Sequence, residues 1–111
     1  MDLLKQGKPV TEQNDNRHPR TAAGVTRDGR HLILLVIDGR QPKHSIGTSL
    51  HDTALWLRAL GAYEGVNFDG GGSSILAIEG GLTGAHILNR PSSGLPRVNA
   101  AHLGIFAKSF R

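Results

Sequence analysis

The chain has no cysteine among its 111 residues, and this absence excludes several kinds of site. Without a thiol there is no disulfide, no thiolate zinc site and no cysteine nucleophile. Aromatic residues make up only 5% of the sequence, and they do not alternate with basic residues as they do on a surface that stacks nucleic-acid bases. Any chemistry therefore rests on carboxylates, hydroxyls, imidazoles, guanidinium groups and the backbone.

Long runs of apolar residues and clusters of basic residues are absent as well. The longest apolar run, Leu32–Ile37, is too short to span a membrane, and Met1–Val10 has no basic stretch followed by an apolar core. The formal net charge is +4, but the arginines are dispersed rather than grouped as in a nucleic-acid-binding arm. The sequence thus predicts no nucleic-acid partner and no membrane segment. A mild positive charge suits an anionic small substrate, and the cellular location is left open.

Length and composition predict one small domain, and the order of its elements predicts an α+β fold. The chain is 38% hydrophobic and 20% charged, which is typical of a globular protein with a single core. Residues 1–16 are polar and without a period, so we expect a loop-like N-terminal tail that reaches about Pro19, with the domain over residues 17–111. The order strand, strand, helix and then four strands predicts a mostly antiparallel sheet with one main helix packed on it.

Turn and period signals place these elements. Thr21–Arg27 and His31–Ile37 flank Asp28-Gly29, which predicts a two-residue hairpin turn. The continuous apolar character of Leu32–Ile37 predicts a strand buried on both faces. Four further strands are expected after the helix: Gly65–Phe68, Ile75–Ile78, Ala85–Leu88 and Val98–Ala107.

The helix is expected to begin after Thr48 or Ser49 as N-cap and to run to about Leu60, with Gly61 as the left-handed terminator. Its predicted buried stripe repeats at spacings of three and four: Leu50, Ala54, Leu57 and Leu60. Trp56 is expected to pack at the margin of that stripe.

The most distinctive segment is residues 67–74, where Asn67-Phe68-Asp69 is followed by Gly70-Gly71-Gly72-Ser73-Ser74. Glycine loses more backbone freedom on folding than any other residue, so three in a row suggest a close approach to the backbone. Exposed main-chain N–H groups beside two hydroxyls can receive an oxyanion such as a phosphate. The alternative is a tight turn between two strands.

Three other polar loops pair an arginine with short polar groups: Arg17-His18-Pro19-Arg20-Thr21, Asp38-Gly39-Arg40 and Asn89-Arg90-Pro91-Ser92-Ser93. The guanidinium group presents a rigid fork of donors that matches phosphate or carboxylate oxygens. If the loops converge, two or three guanidinium groups hold an anion near Asp69. The alternative is that each arginine is a solvated surface charge or pairs with a nearby carboxylate.

These segments, in this order, resemble the phosphodiester glycosidase family, which includes the lysosomal uncovering enzyme and exopolysaccharide-related bacterial proteins. The resemblance extends from about Arg17 to Phe106. It is carried by Arg17–Gly24, Val36–Arg40, Leu60–Tyr63, Asn67–Ser74 and Asn89–Ser92, with Val98–Ala100 similar to the segment that closes the family domain.

The resemblance implies hydrolysis of a sugar-1-phosphodiester, with release of the sugar from phosphate and no cofactor. Catalytic candidates are Asp69, Asp38 and, as a proton carrier, His18. Arg20, Arg40 and Arg90 are candidates for neutralising the phosphate. The remaining substrate-binding candidates are Thr21, Asn67, Gly70, Gly71, Gly72, Ser73, Ser74 and Asn89.

The chain also departs from the family pattern. Family domains are longer and begin with an Asn-Gly-Gly-Phe-Phe-like segment, which residues 1–16 do not match. The chain thus resembles the C-terminal part of the domain, and three readings stay open: a gene fragment, a truncated relative, or a chain completed by a partner subunit. Missing strands leave an open sheet edge, so self-association is expected. Relatives in the family are often exported.

Two further hypotheses come from other classes of function. The same loops could form a non-catalytic module that binds a sugar phosphate or an anionic polysaccharide. A nucleotide-binding P-loop is excluded, because the glycine loop lacks the trailing lysine and leads into a strand. The six histidines are scattered, and no pair has the spacing of two ligands on one helix face, so we expect no metal site.

Overall fold

The computed structural model describes residues 1–80, 82, 84–96 and 102–108. This part of the chain contains one α-helix, seven β-strands and a 3₁₀ turn over Gly71–Ser73. The helix, α1, covers Leu50–Ala59. The strands are β1 (Asp2–Lys5), β2 (Lys8–Pro9), β3 (Arg20–Val25), β4 (Leu32–Ile37), β5 (Glu64–Asn67), β6 (Ala77–Glu79) and β7 (Ala85–Ile87).

The strands form two separate sheets. The larger sheet has the order β2-β1-β5-β3-β4, and each neighbouring pair is antiparallel. β6 and β7 pair with each other in a small second sheet. Helix α1 packs on the larger sheet, mainly against β1 and β3. The predicted α+β architecture, one helix on a mostly antiparallel sheet, is confirmed.

The helix has the predicted caps. Ser49 is the N-cap, and its side-chain oxygen accepts a hydrogen bond from the Asp52 backbone N–H at 3.0 Å. Gly61 follows the helix with φ +107°, a left-handed conformation that glycine adopts without a Cβ clash.

The buried stripe of the helix differs from the predicted one at its end. Ala54 and Leu57 are fully buried as expected, and Leu50 is partly buried against the core. Leu60, however, is 53% exposed, because it lies at the C-cap where the chain leaves the helix. Thr53 is buried and donates to the Ser49 carbonyl at 2.7 Å. Trp56 is 57% exposed, so it does not pack at the margin of the stripe.

The expectation of a loop from Met1 to Pro19 is wrong for its beginning. Asp2–Lys5 forms β1 in the interior of the larger sheet, and Leu3 and Leu4 are fully buried in the core. The segment has only two consecutive apolar residues between polar neighbours, so no period marks it as a strand. β1 is stabilised as a strand by its pairing with β5 and its packing under α1, and neither can be recognised from the local sequence.

Strand β4 is an edge strand, and the expectation that it is buried on both faces is wrong. Ile33 and Leu35 pack against the core, whereas Leu32 and Leu34 are 51% and 38% exposed on the other face. Alternating side chains of a strand point to opposite faces, so in the described part of the chain the face toward α1 is covered more completely than the face that carries Leu32 and Leu34.

Two connections also differ from expectation. The β3–β4 turn is longer than two residues, because the Thr26 N–H donates to the His31 carbonyl at 3.1 Å and four residues lie between them. Gly29 occupies the left-handed position in it, at φ +72°. Of the strand expected over Val98–Ala107, residues 98–101 lie outside the described residues, and residues 102–108 form neither helix nor strand.

Candidate active site

Three loops meet through direct backbone contact beside the larger sheet. His18 and Thr48 exchange backbone hydrogen bonds at 3.2 and 3.1 Å. A Cβ at Gly39 would lie 2.6 Å from the Pro19 nitrogen, and one at Gly47 would lie 2.6 Å from the His18 carbonyl carbon. The two glycines thus let the loop that follows β4 lie directly on the segment that leads into β3.

The glycine loop joins the same cluster. The Gly71 N–H donates to the Pro19 carbonyl at 3.1 Å, and a Cβ at Gly70 would lie 2.9 Å from the Pro19 oxygen. Gly71 has φ +61°, and a Cβ there would lie 2.9 Å from the Nη1 atom of Arg40. The Arg40 guanidinium group therefore lies directly against the backbone of Gly71, and this contact needs a residue without a side chain.

Asn89 connects the fourth loop to the other three. Its Nδ2 atom donates to Asp38 Oδ1 at 3.1 Å and to the Ser74 carbonyl at 2.6 Å. Its Oδ1 atom accepts from the Leu76 N–H at 2.8 Å. One amide side chain thereby fixes the loop after β7 against both the Asp38 loop and the end of the glycine loop.

The Asp38 carboxylate is surrounded by donors. Besides Asn89, the Arg90 backbone N–H donates to both of its oxygens at 3.0 Å, and His44 Nε2 lies 2.8 Å from Oδ2. Burial acts to raise the pKa of Asp38, but the hydrogen bonds from His44, Arg90 and Asn89 outweigh it and hold the pKa below its ordinary value. Asp38 is thus an ionised acceptor whose two oxygens are already bound within the protein.

Two arginines supply positive charge beside this cluster. Arg20 donates from Nε to the Thr48 carbonyl at 3.0 Å and from Nη2 to the Asn16 carbonyl at 2.9 Å. Burial and the charge of Arg40 lower the pKa of Arg20. Among the residues that the structure describes, neither guanidinium group forms an ion pair with a carboxylate. Two neighbouring cations without a counter-charge make this part of the surface favourable for an anion.

His18 lies close enough to both cations to feel their charge. Its Nδ1 atom is 3.2 Å from Arg40 Nη2. Burial, together with the charges of Arg40 and Arg20, lowers the pKa of His18, because each of these effects disfavours the imidazolium form.

Asp69 lies at the rim of a cavity next to the glycine loop. The cavity has a volume of about 540 Å³ and is lined mostly by apolar side chains, with Asp69, Thr21 and Ser73 among its polar residues. Asp69 is exposed, and its Oδ1 atom accepts the N–H of Gly70 at 2.9 Å. Unlike Asp38, it faces open space beside the loop.

Three other predicted site residues carry buried oxygen atoms that have no hydrogen-bond partner among the residues that the structure describes. They are Thr21 Oγ1, Asn67 Oδ1 and Ser74 Oγ. Asn67 pairs with Ala22, which is in the core beneath α1, whereas Thr21 lines the cavity. The predicted residues thus divide between the arginine cluster, the cavity rim and the sheet, rather than lining a single pocket.

The predicted loops do converge. His18, Arg40, Gly70 and Gly71 form one cluster, and Asp38, Asn89 and Ser74 are connected by hydrogen bonds beside it. Arg90 contributes its backbone N–H to Asp38, while the residue itself is exposed.

Two residues of the network were not predicted from sequence. His44 bonds Asp38, and Gln41 donates from Nε2 to the Arg90 carbonyl at 2.8 Å. Both lie in the loop after β4, in which Ser45 and Gln41 pair across a turn. In the sequence, only their short distance from Asp38 suggests a role at the site. The contacts themselves depend on the turn that folds this loop back, which the sequence does not show.

Other kinds of site receive little support from the described residues. In residues 1–80, 82, 84–96 and 102–108, no three His, Asp or Glu side chains are grouped as metal ligands. Over the same ranges, no helix is long and apolar enough to cross a membrane.

Comparisons with known proteins give the same family as the motifs. Residues 2–106 match the profile of the family described as phosphodiester glycosidase. The prophage-derived protein YomE of Bacillus subtilis, itself uncharacterised, is 34% identical over 101 residues, which are 86% of this chain and 15% of that protein.

Solved structures match the fold. A protein of Burkholderia pseudomallei described as exported is 47% identical, with a TM-score of 0.60 over 68% of this chain and 13% of its own. The catalytic domain of zebrafish N-acetylglucosamine-1-phosphodiester alpha-N-acetylglucosaminidase, auto-inhibited by its pro-peptide, shares the fold with a TM-score of 0.61 at 24% identity. That match covers 82% of this chain and 33% of the zebrafish domain. The chain therefore spans a third or less of the relatives it matches. The profile match over nearly its whole length means that the chain belongs to the phosphodiester glycosidase family.

Proposed function

We propose that this chain contributes to the hydrolysis of a sugar-1-phosphodiester and breaks the bond between the anomeric carbon and the phosphate oxygen. Family membership supports this class of reaction. The observation that carries the proposal is the pair formed by Arg20 and Arg40, two neighbouring cations without a carboxylate partner in the described residues, beside the glycine loop that bears Asp69.

The reaction consumes one water molecule. The water oxygen bonds to the anomeric carbon, the glycosidic C–O bond breaks, and its electron pair stays with the phosphate oxygen. The products are the free sugar, a phosphate monoester of the second alcohol and one proton. The leaving group carries additional negative charge in the transition state, so cations placed beside it lower the barrier.

The arginines and the glycine loop are proposed to hold the phosphate. Arg40 lies against Gly71 with its guanidinium group, and Arg20 adds a second positive charge nearby. Arginine forks match the paired oxygens of a phosphate group. Arg90 is exposed at the margin of the same cluster and is proposed to reach the phosphate from there.

Asp69 is the better of the two carboxylate candidates for the reacting centre. It is exposed at the cavity rim beside the glycine loop, where a sugar ring could approach it. The oxygens of Asp38 are occupied by the Arg90 N–H, Asn89 and His44. We propose that Asp69 assists the attack at the anomeric carbon and that Asp38 positions the Asn89–Arg90 loop.

Turnover of an N-acetylglucosamine-1-phosphodiester by the purified chain tests the proposal, with free sugar measured as product. Asp69→Asn is expected to lower turnover by at least about a hundredfold, as for the loss of a group acting on the transition state. Asp15→Asn, at an exposed position outside the cluster, is the matched control and retains the wild-type rate. Equal rates for wild type and Asp69→Asn would rule out the role of Asp69.

Binding without turnover is the second candidate function. Glycosidases generally use two carboxylates, and the oxygens of Asp38 are already occupied within the protein. This function predicts a calorimetric signal with the phosphodiester and no sugar release. The signal should weaken with Arg90→Ala and with added salt, but not with Arg30→Ala in the β3–β4 turn.

A further inference from the structure

The contact between His18 and Arg40 determines which imidazole nitrogen carries a proton. Arg40 Nη2 lies 3.2 Å from His18 Nδ1. A guanidinium group can only donate hydrogen bonds, so Nδ1 must be the acceptor and carries no proton. A neutral imidazole has one N–H group, and in His18 it is therefore on Nε2.

The surroundings of His18 disfavour its imidazolium form and lower its pKa. The charged groups that act on His18 are Arg40, from the loop after β4, and Arg20, from the start of β3. Burial of the ring is the largest of the effects that lower the pKa of His18, and the two cations act in the same direction. No carboxylate is hydrogen-bonded to His18 in the part of the chain that the structure describes. His44, by contrast, is paired with Asp38.

Arg40 itself is held in place from two directions. Its backbone has φ +55°, a left-handed conformation that is rare for residues other than glycine. The Nη1 atom of its guanidinium group lies against the bare backbone of Gly71, and the Nη2 atom contacts His18. Such an unusual backbone conformation commonly marks a functional position, because the surrounding structure has to maintain it.

We propose that Arg40 is a positioning residue that fixes His18 as a neutral hydrogen-bond donor through Nε2–H. In this state His18 has no free lone pair with which to accept a proton from water. It supplies one uncharged N–H group beside two guanidinium groups. That this N–H group faces a phosphate oxygen of the substrate rests on the proposed function. The assignment of the tautomer does not depend on the proposed function.

Long-range ¹H–¹⁵N correlation NMR of the ligand-free protein, labelled at its histidine nitrogens, tests the proposal. His18 is assigned as the signal set that is lost in His18→Gln. At pH 7 we expect a single neutral form with the proton on Nε2, and protonation only below the ordinary histidine pKa of about 6.5. An Nδ1–H tautomer or an imidazolium at pH 7 in the wild-type protein would overturn the proposal. No variant of Arg40 is needed for this test.

Arg40→Asn then tests the cause. Asparagine tolerates the left-handed backbone but is too short to reach His18. We expect a mixture of tautomers and an upward shift of the His18 midpoint, whereas Arg40→Lys, which keeps a cationic donor, restores part of the wild-type behaviour. Arg30→Asn removes one positive charge in the β3–β4 turn and should change neither quantity. An unchanged His18 tautomer and midpoint in Arg40→Asn would contradict the role of Arg40.

The outcomes separate this inference from the proposed function. The NMR measurement needs neither substrate nor turnover, so the tautomer can be established in a chain that only binds its ligand. If turnover is present, His18→Gln, which keeps an amide N–H near the position of Nε2, should retain more activity than His18→Ala. Equal loss of activity in the two variants would contradict a donor role even where the tautomer is as expected.

Discussion

At the scale of single residues, a missing side chain at Gly71 decides where Arg40 can lie. The Arg40 Nη1 atom occupies space 2.9 Å from where a Cβ of residue 71 would be, and the backbone of Gly71 is left-handed. The sequence predicted that something approaches the glycine loop closely. It could not predict that this is a guanidinium group of the chain itself, because the approach depends on how two loops 31 residues apart converge.

Gly71→Ala tests this contact, and Gly29→Ala is its matched control. Both positions have positive φ, so both substitutions are expected to lower the free energy of unfolding by about 1–2 kcal/mol through backbone strain. At Gly29 a Cβ meets no atom within 4 Å, whereas at Gly71 it meets Arg40. Only Gly71→Ala should therefore also weaken binding of the phosphodiester by calorimetry. Equal binding by the two variants would contradict the proposed place of Arg40.

Asp38 gives a prediction on pH. Hydrogen bonds hold its folded-state pKa below the unfolded value of about 3.9, so its contribution to stability is present above that pH. The contribution is lost as the pH falls through the folded-state pKa, since the unfolded chain then binds more protons. Asp38→Asn should lower the free energy of unfolding at pH 7 by about 1–3 kcal/mol, because the Arg90 and Asn89 donors lose their anionic acceptor.

Urea unfolding between pH 2 and 7 measures both effects. The difference in stability between wild type and Asp38→Asn should shrink as the pH falls below about 4. Asp15→Asn, at an exposed position, is the charge control. A difference between wild type and Asp38→Asn that is constant with pH would mean that the Asp38 charge does not stabilise the fold.

At the scale of elements, the predictions of the helix ends were reliable because they depend only on residues within or next to the helix. Ser49 and Gly61 mark the two ends of the helix as predicted, since each cap depends on a few neighbouring backbone groups. Strand β1 could not be predicted, because its two buried leucines are recognisable only once β5 and α1 are in place. The unexpected exposure of one face of β4 has the same origin, since burial depends on which layer lies above a strand.

The difference in burial between Leu57 and Leu60 allows a test of which side chains form the buried stripe of α1. Leu57 is fully buried on the face of α1 that packs against the sheet, whereas Leu60 is 53% exposed at the helix end. Leu57→Ala should lower the free energy of unfolding by about 2–5 kcal/mol, as for other buried leucines. Leu60→Ala should change it by no more than about 0.5 kcal/mol. Chemical denaturation of the two variants checks the assigned stripe, and a larger loss for Leu60→Ala would contradict it.

At the scale of the whole molecule, β4 is an edge strand of the larger sheet: among the residues that the structure describes, it pairs with β3 on one side and with no strand on the other. β4 is six residues long and carries exposed leucines on one face, and such an edge can pair with another strand. The expectation of an open edge came from the length of family domains, not from any local pattern.

We predict concentration-dependent self-association of this chain through β4, measurable by light scattering after size-exclusion chromatography. Leu34→Lys should shift the equilibrium toward the monomer, because a charge on an exposed edge strand opposes strand addition. Trp56→Lys removes a comparable exposed apolar side chain on helix α1 and should leave self-association unchanged. A monomer at all concentrations, or equal effects of the two variants, would contradict pairing through this strand.

The most direct test of the proposed function follows oxygen atoms in ¹⁸O-labelled water. The purified chain is incubated with an N-acetylglucosamine-1-phosphodiester, and both products are analysed by mass spectrometry. Cleavage at the anomeric carbon, with Asp69 acting beside the cations of Arg20 and Arg40, predicts the label in the sugar hydroxyl and none in the phosphate monoester. Label in the phosphate monoester, or no sugar release at all, would contradict glycosidic cleavage by this chain.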